Sequence, residues 1–270
     1  MSAYKIFSLE SKVAIVTGAS GLLGRNYSKV LSDAGAKVVL LDLNKDDCQD
    51  IAFELPNESL AIECDITSKS NLIAAKDEII NRFGKIDILV NNAAINDMVE
   101  NPINALEDSK FENYPLELFR KVMDVNVTGT FLCCQIFGSI MAKNGSGSII
   151  NIASTYGITA PNQNLYIDSE GRQKFYKSCA YPSSKGAVIM LTKFLASYWG
   201  TSGIRVNCLS PGGVENNQSE DFIKKYSSMT PAGRMSKPDD YSGALIYLAS
   251  DSSKYVNGHN LVADGGWTTW

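Results

Sequence analysis

The chain has 270 residues, 44% of them hydrophobic and 20% charged, a balance that suits a folded protein with a sizeable core and excludes a disordered one. A net charge of -4 and a pI near 5.2 give no general attraction to nucleic acid or to an anionic membrane, and no Lys/Arg block exceeds a pair. The opening MSAYKIFSLESK lacks an apolar segment of signal-peptide length and no window reads as an uninterrupted apolar span, so a cytoplasmic protein without nucleic-acid or membrane partners is expected.

Apolar strand-like runs alternate with helical patterns along the chain. KVAIVTG (12–18) predicts a strand, about 22–34 a helix, KVVLLD (37–42) a strand, and 45–55 a helix. A strand at SLAIEC (59–64), a helix at 68–83 and a strand at KIDILVNNA (85–93) continue the series. A polar, Pro-containing stretch then leads into a long apolar helix at about 116–141 and a strand at GSIINIAS (147–154). After a second polar run at 155–178 come a helix at about 180–202, a strand at IRVNCLS (204–210), an irregular stretch at 212–237, a helix at 238–250 and a strand at NLVADG (260–265). The strands are continuously apolar rather than alternating, the mark of burial on both faces. The expected fold is therefore α/β, a Rossmann-type doubly wound, mostly parallel sheet of seven strands with helices on both faces. No composition break divides it, so residues 1–270 read as one domain with insertions at about 96–115 and 155–178.

The first strand runs into TGASGLLG, residues 17–24. Glycines at that place let the backbone turn tightly and approach a pyrophosphate, whose charge the next helix's N-terminus stabilises. Gly18, Ser20, Gly21, Leu23 and Gly24 are the expected dinucleotide contacts. Asp42 ends the second strand, where a carboxylate accepts hydrogen bonds from ribose hydroxyls and repels a 2'-phosphate. NAD is thereby favoured over NADP; the alternative for Asp42 is a surface or helix-capping aspartate. Six cysteines form no C-x-x-C pair and the one histidine, His259, stands beside the last strand, so no metal site is expected.

In FYKSCAYPSSKGAV, Tyr181 precedes Lys185 by four residues, a spacing that arises about once by chance in a chain this rich in both types. In their order along the chain, however, stand TGASGLLG, Asp65, NNAA (91–94), Asn126 in DVNVTG, Ser154 in NIAS, YPSSK (181–185) and PGG (211–213). With these pieces the whole chain resembles the classical short-chain dehydrogenase/reductase family. That resemblance implies an NAD-dependent oxidoreductase with a tetrad of Asn126, Ser154, Tyr181 and Lys185. Tyr181 would exchange the carbinol proton, Ser154 hold the substrate oxygen, Lys185 assist the tyrosine and bind the nicotinamide ribose, and Asn126 support a water beside Lys185. Asp65, Ile66, Asn92, Ala93, Pro211, Gly212 and Val214 would be further cofactor contacts, with Asp65 open to the alternative of a helix N-cap and Asn126 to that of an amide at a helix kink. Physically, an ammonium about 4 Å from a phenol of pKa ~10 is expected to pull it down toward use as a base. A homodimer or homotetramer built on the two long helices is also implied.

Three features depart from the family pattern. Leu22 stands where a glycine is usual; Glu215, Asn216 and Asn217 replace a threonine after PGG; and 27 residues separate Ser154 from Tyr181, a long interval for the family. The surplus is polar and aromatic. It is either a plain surface loop or, because its ends are fixed at the ligand edge of the sheet, part of a polar pocket. The pocket reading predicts a polar, sugar-like substrate, a resemblance shared with dehydrogenases of bacterial surface-sugar and nonulosonate pathways. A ketoacyl-carrier reductase and a catalytically idle NAD-binding sensor are the alternative readings.

Overall fold

The computed structural model describes residues 5–97 and 105–270. The first half winds as β1 (Val13–Thr17), α1 (Leu22–Asp33), β2 (Lys37–Asp42), α2 (Lys45–Glu54), β3 (Ser59–Glu63), α3 (Lys69–Phe83) and β4 (Ile88–Asn91). The second half continues with α4 (Ala105–Ser109), the long α5 (Leu116–Asn144), β5 (Gly147–Ile152), α6 (Ala180–Trp199), β6 (Ile204–Pro211), α7 (Glu220–Met229), α8 (Ser242–Ala249) and β7 (Asn260–Ala263). The seven strands form one sheet in the order β3-β2-β1-β4-β5-β6-β7, every neighbouring pair parallel. The order reverses beside β1, which leaves a crevice outside the carboxyl ends of β1 and β4.

Strand alternation explains the two-sided core. Val13, Ile15, Val39 and Leu41 point to one face, where Leu72 and Ile79 of α3, Phe137 and Met141 of α5 and Trp199 of α6 cover them. Ala14, Val16, Val38 and Leu40 point to the other, beneath Tyr27 and Leu31 of α1, Ile51 of α2 and Leu245 and Leu248 of α8. With both faces dry, each strand reads as an unbroken apolar run.

Two expectations change. Helix α5 is long and apolar enough to cross a membrane by length and composition, contrary to the sequence reading that no window qualifies. Half of its most apolar stretch is buried against the rest of the protein, as suits a helix covering a sheet. The stretch at 212–237, read as irregular, contains α7, capped by the Ser219 hydroxyl accepting from Phe222 N at 3.3 Å. The insertion expected at 96–115 contains α4, and its residues 98–104 lie outside the described residues.

Candidate active site

The glycine turn after β1 is pressed against two neighbours. Gly18 has φ +62°, and a Cβ on it would stand 2.7 Å from Ala93 Cα; a Cβ on Gly24 would stand 2.1 Å from the Gly18 carbonyl oxygen. Any side chain at either position would push the loop off β4 or off α1. Thr17 fastens the same corner, since its hydroxyl oxygen accepts from Asn92 N and Ala93 N, each at 3.0 Å. Asn92 returns the contact by donating its amide to the carbonyls of Thr17 (3.1 Å) and Gly18 (3.0 Å). Helix α1 begins at an N-cap glycine, Gly21, with no side chain satisfying its first-turn N–H groups. These uncapped donors above a loop without side-chain bulk are a cradle that fits a pyrophosphate.

Asp42 sits at the carboxyl end of β2, its Oδ2 accepting from Ser20 N at 2.9 Å and its Oδ1 from Asn44 N at 3.3 Å. The basic side chain that follows the glycine turn, Arg25, is directed elsewhere, donating Nε to the Ser20 carbonyl at 2.8 Å and approaching Asp47 at 3.7 Å. Asp65 Oδ1 accepts from Thr67 N at 2.9 Å and Thr67 Oγ1 at 2.7 Å, a tight turn rather than a helix cap. Ser68 caps α3 instead.

The other end of the crevice is built by β5 and α6. Tyr181 and Lys185 lie one turn apart on α6, and Ser154 follows the end of β5. Lys185 Nζ donates to the Ile152 carbonyl at 2.7 Å and lies 5.5 Å from the centre of the Tyr181 ring. Asn126 lies behind them, at a π-turn in α5 spanning Asp124–Gly129. Its Oδ1 accepts from Ile95 N at 2.8 Å, and its Nδ2 donates to the Ile95 carbonyl and to Ser184 Oγ, each at 3.0 Å. Asn126 is thus the clamp that holds α5 to the loop after β4.

Burial dominates the ionisation of this corner. It drives the Lys185 ammonium down to about 8, with the Cys208 thiol opposing weakly. It drives the Tyr181 phenol up to about 12, against a hydrogen bond from Ser154 that lowers it. The expected depression of the tyrosine by its lysine is therefore overridden: the protein's own groups keep Tyr181 as a neutral proton donor.

One cleft of about 1060 Å³ joins the two ends. Gly18, Ser20, Gly21, Leu23, Asp42, Asp65, Ile66, Asn92 and Ala93 line it toward β1 and β2; Ser154, Tyr181, Lys185, Pro211, Gly212 and Val214 line it toward β5 and β6. Gly24 and Asn126 do not face it; both act from behind. The 155–178 run is more than a surface loop, because Thr155, Tyr156, Tyr166, Asp168, Phe175 and Lys177 of it form cleft wall. Leu165 anchors the run in a small apolar cluster with Tyr226, Met235 and Trp267. Sequence reasoning missed Thr17, Lys177 and Tyr226. The last pins the turn at 211–213, its hydroxyl accepting from Gly213 N at 2.7 Å.

The family model described as "Enoyl-(Acyl carrier protein) reductase" matches residues 18–268. An "NAD-dependent glycerol dehydrogenase" of Listeria innocua is 34% identical over 98% of this chain and 96% of its own. A "Borneol dehydrogenase, mitochondrial" of Lavandula x intermedia is also 34% identical, over 98% of this chain and 94% of its own. Among solved structures, a gluconate 5-dehydrogenase from Burkholderia cenocepacia J2315 in complex with NADP and tartrate superposes with a TM-score of 0.86 at 31% identity, covering 99% of each chain.

Proposed function

The chain belongs to the short-chain dehydrogenase/reductase family and is an oxidoreductase acting on CH–OH groups; from that premise we propose that it uses NAD to interconvert a secondary alcohol and a ketone on a polar, sugar-like substrate. The single observation that carries the reading is the convergence of Ser154, Tyr181 and Lys185 on one cleft whose far end is the Gly18–Gly24 cradle and Asp42.

Nicotinamide, when bound, accepts or supplies the hydride. The protein's part is to position and to move a proton. Ser154 lines the cleft with Tyr181, lowers the pull of burial on its phenol and presents a hydroxyl to the substrate oxygen. Tyr181, neutral in its buried setting, is ready to donate its proton in ketone reduction; alcohol oxidation needs the phenolate, which the positive charges of Lys185 and of an oxidised nicotinamide favour. Lys185 is held beside it by the Ile152 carbonyl. At the other end the Asp42 carboxylate supports NAD, because a 2'-phosphate there would meet a negative charge and Arg25 is turned away.

The names of comparably similar relatives divide between a polyol and a terpenoid alcohol, so the cleft wall has to decide. Asn96, Tyr156, Tyr166, Asp168 and Lys177 stand in it among Leu165, Ile167 and Phe175. Although Lys177, Asn96 and Asp168 have partners within the protein, together with the tyrosines they give the wall a polar face with which substrate hydroxyls can exchange hydrogen bonds and a hydrocarbon cannot. The reading is tested by steady-state rates with glycerol, sugars and aldonates against borneol, and with NAD against NADP. Turnover confined to borneol, or to a carrier-type ketoacyl thioester, would refute the polar substrate; a higher kcat/KM for NADP would refute the cofactor. A homodimer or homotetramer is supported by exposed Phe131 on α5 and by Met190, Phe194 and Tyr198 on α6, the last two stacked with ring centres 5.9 Å apart. Light scattering on the eluting protein checks it; a monomeric mass would reject it.

A further inference from the structure

Lys177 lies four residues before Tyr181, outside the tetrad of Asn126, Ser154, Tyr181 and Lys185, and is buried at 6% exposure while still forming cleft wall. Its Nζ donates to the Asp97 carbonyl at 2.8 Å and to Asn96 Oδ1, and stands 5.5 Å from the centre of the Tyr181 ring. Tyr181 therefore has an ammonium at the same distance from two sources, Lys177 and Lys185. Asp97 offers Lys177 its backbone oxygen, while its carboxylate accepts from Tyr114 Oη at 2.5 Å through Oδ2 and keeps Oδ1 buried without a hydrogen-bond partner. Among the described residues, two neutral oxygens are what receive an ammonium that carries three protons.

A purely structural tie between the 96–97 segment and the 155–178 run would be met by a neutral amide donor at far lower desolvation cost. Burial already drives this ammonium down to about 8, the Asp97 charge opposing. The Asp97 carboxylate acts on this ammonium without bonding to it, and two of the three ammonium protons are taken, so a carboxylate arriving with the ligand can still receive the third. We propose that Lys177 determines specificity by receiving a carboxylate borne near the reacting carbinol, so that the preferred substrate is a polyhydroxylated hydroxy acid rather than the neutral alcohol of the same skeleton. A single ammonium matches a monoanion; a phosphate dianion would exceed it. The proposal rests on the polar-carbinol reading above and sharpens its substrate class.

Two matched pairs test it, D-gluconate against D-glucitol and glycerate against glycerol, each assayed in the intact enzyme and in Lys177→Met with saturating nicotinamide dinucleotide. The wild type is expected to favour the acid of a pair by at least about tenfold in kcat/KM, the scale of a charge-assisted hydrogen bond. In Lys177→Met that ratio should fall toward one, through KM for the acid. Wild-type preference for the neutral alcohol, or an unchanged ratio in the variant, overturns the proposal while leaving a polar substrate in place. Failure of both members of both pairs, with borneol turned over, instead removes the polar-carbinol reading and this proposal with it. Should Lys177→Met not fold, the wild-type ratio decides alone.

Discussion

Tyr181 presents its phenol to the cleft that Ser154 also lines, with a buried ammonium on each of two sides. Tyr181→Phe keeps the ring and the packing and removes only the oxygen that carries the proton. Turnover should fall at least ~100-fold, the usual yield of positioned proton transfer, with NADH affinity by fluorescence titration nearly unchanged. Retained activity would reassign the proton donor. Asn126 works differently, because its three bonds to Ile95 and Ser184 are internal and it does not line the cleft. Asn126→Ala leaves the half-buried Ile95 N–H and carbonyl without their partner, a cost of about 1 kcal/mol that urea unfolding would register. If stability stayed at the wild-type value while activity vanished, Asn126 would belong to the chemistry rather than to the clamp.

At the scale of elements, the substrate wall is a partnership between the 155–178 run and α7. Tyr166 meets Phe175 with ring centres 4.8 Å apart and Phe222 at 5.8 Å, and Tyr226 stacks on Trp267 at 4.1 Å. Through its hydroxyl Tyr226 also holds the Gly213 N–H, so α7 sets the turn whose Pro211, Gly212 and Val214 are the expected cofactor contacts. Tyr226→Phe should weaken dinucleotide binding by roughly tenfold, equivalent to about 1.4 kcal/mol, with the fold intact by circular dichroism. Unchanged affinity would show that the turn holds itself. The β-strands were legible in sequence because burial on both faces leaves a continuous apolar signature with sharp polar ends, as in KVVLLD, which matches β2 residue for residue. Helix α7 lay in a polar stretch, yet Ser219 followed by Glu220, Asp221, Phe222, Ile223, Tyr226 and Met229 carries a cap and a helical spacing that could have found it. The π-turn at Asn126 was anticipated only as the alternative of an amide at a helix kink, and the burial of Lys177 had no local signal. Each is fixed by a partner far along the chain, Ile95 for the first and Asn96 with Asp97 for the second.

Across the whole molecule, the buried thiols and the buried amines pull its alkaline stability in opposite directions. Burial pushes Cys48 and Cys134 up to about 12, Cys64 and Cys208 up to about 11, and Cys133 well above its ordinary value. An unfolded thiol ionises near ~8.5, so above that pH the unfolded chain sheds protons that the folded one must keep. The stability these thiols contribute is complete below pH ~8.5 and is lost as pH rises. Lys177 and Lys185 act oppositely, since their folded values of about 8 lie below the ~10.4 of a free lysine. Between those limits the folded state has released protons that the unfolded state still binds, and stability gains with pH. Five thiols outnumber two amines, and the buried phenols of Tyr27, Tyr114, Tyr156 and Tyr226, likewise pushed up by burial, act in the thiols' direction, so the folded state holds more protons near pH 9.5 and the thiols' sign wins. Unfolding free energy in urea, with reductant present, should therefore fall from pH 7.5 to 9.5, and Lys177→Met should steepen the fall by removing one opposing group. Cys134→Ala should flatten it by about one proton, because Asn91 keeps its bond to Asn151 Oδ1 at 2.8 Å when the thiol is gone. A stability that rises over this range would mean that the lysine corner, rather than the cysteine-lined core, governs how the fold responds to base.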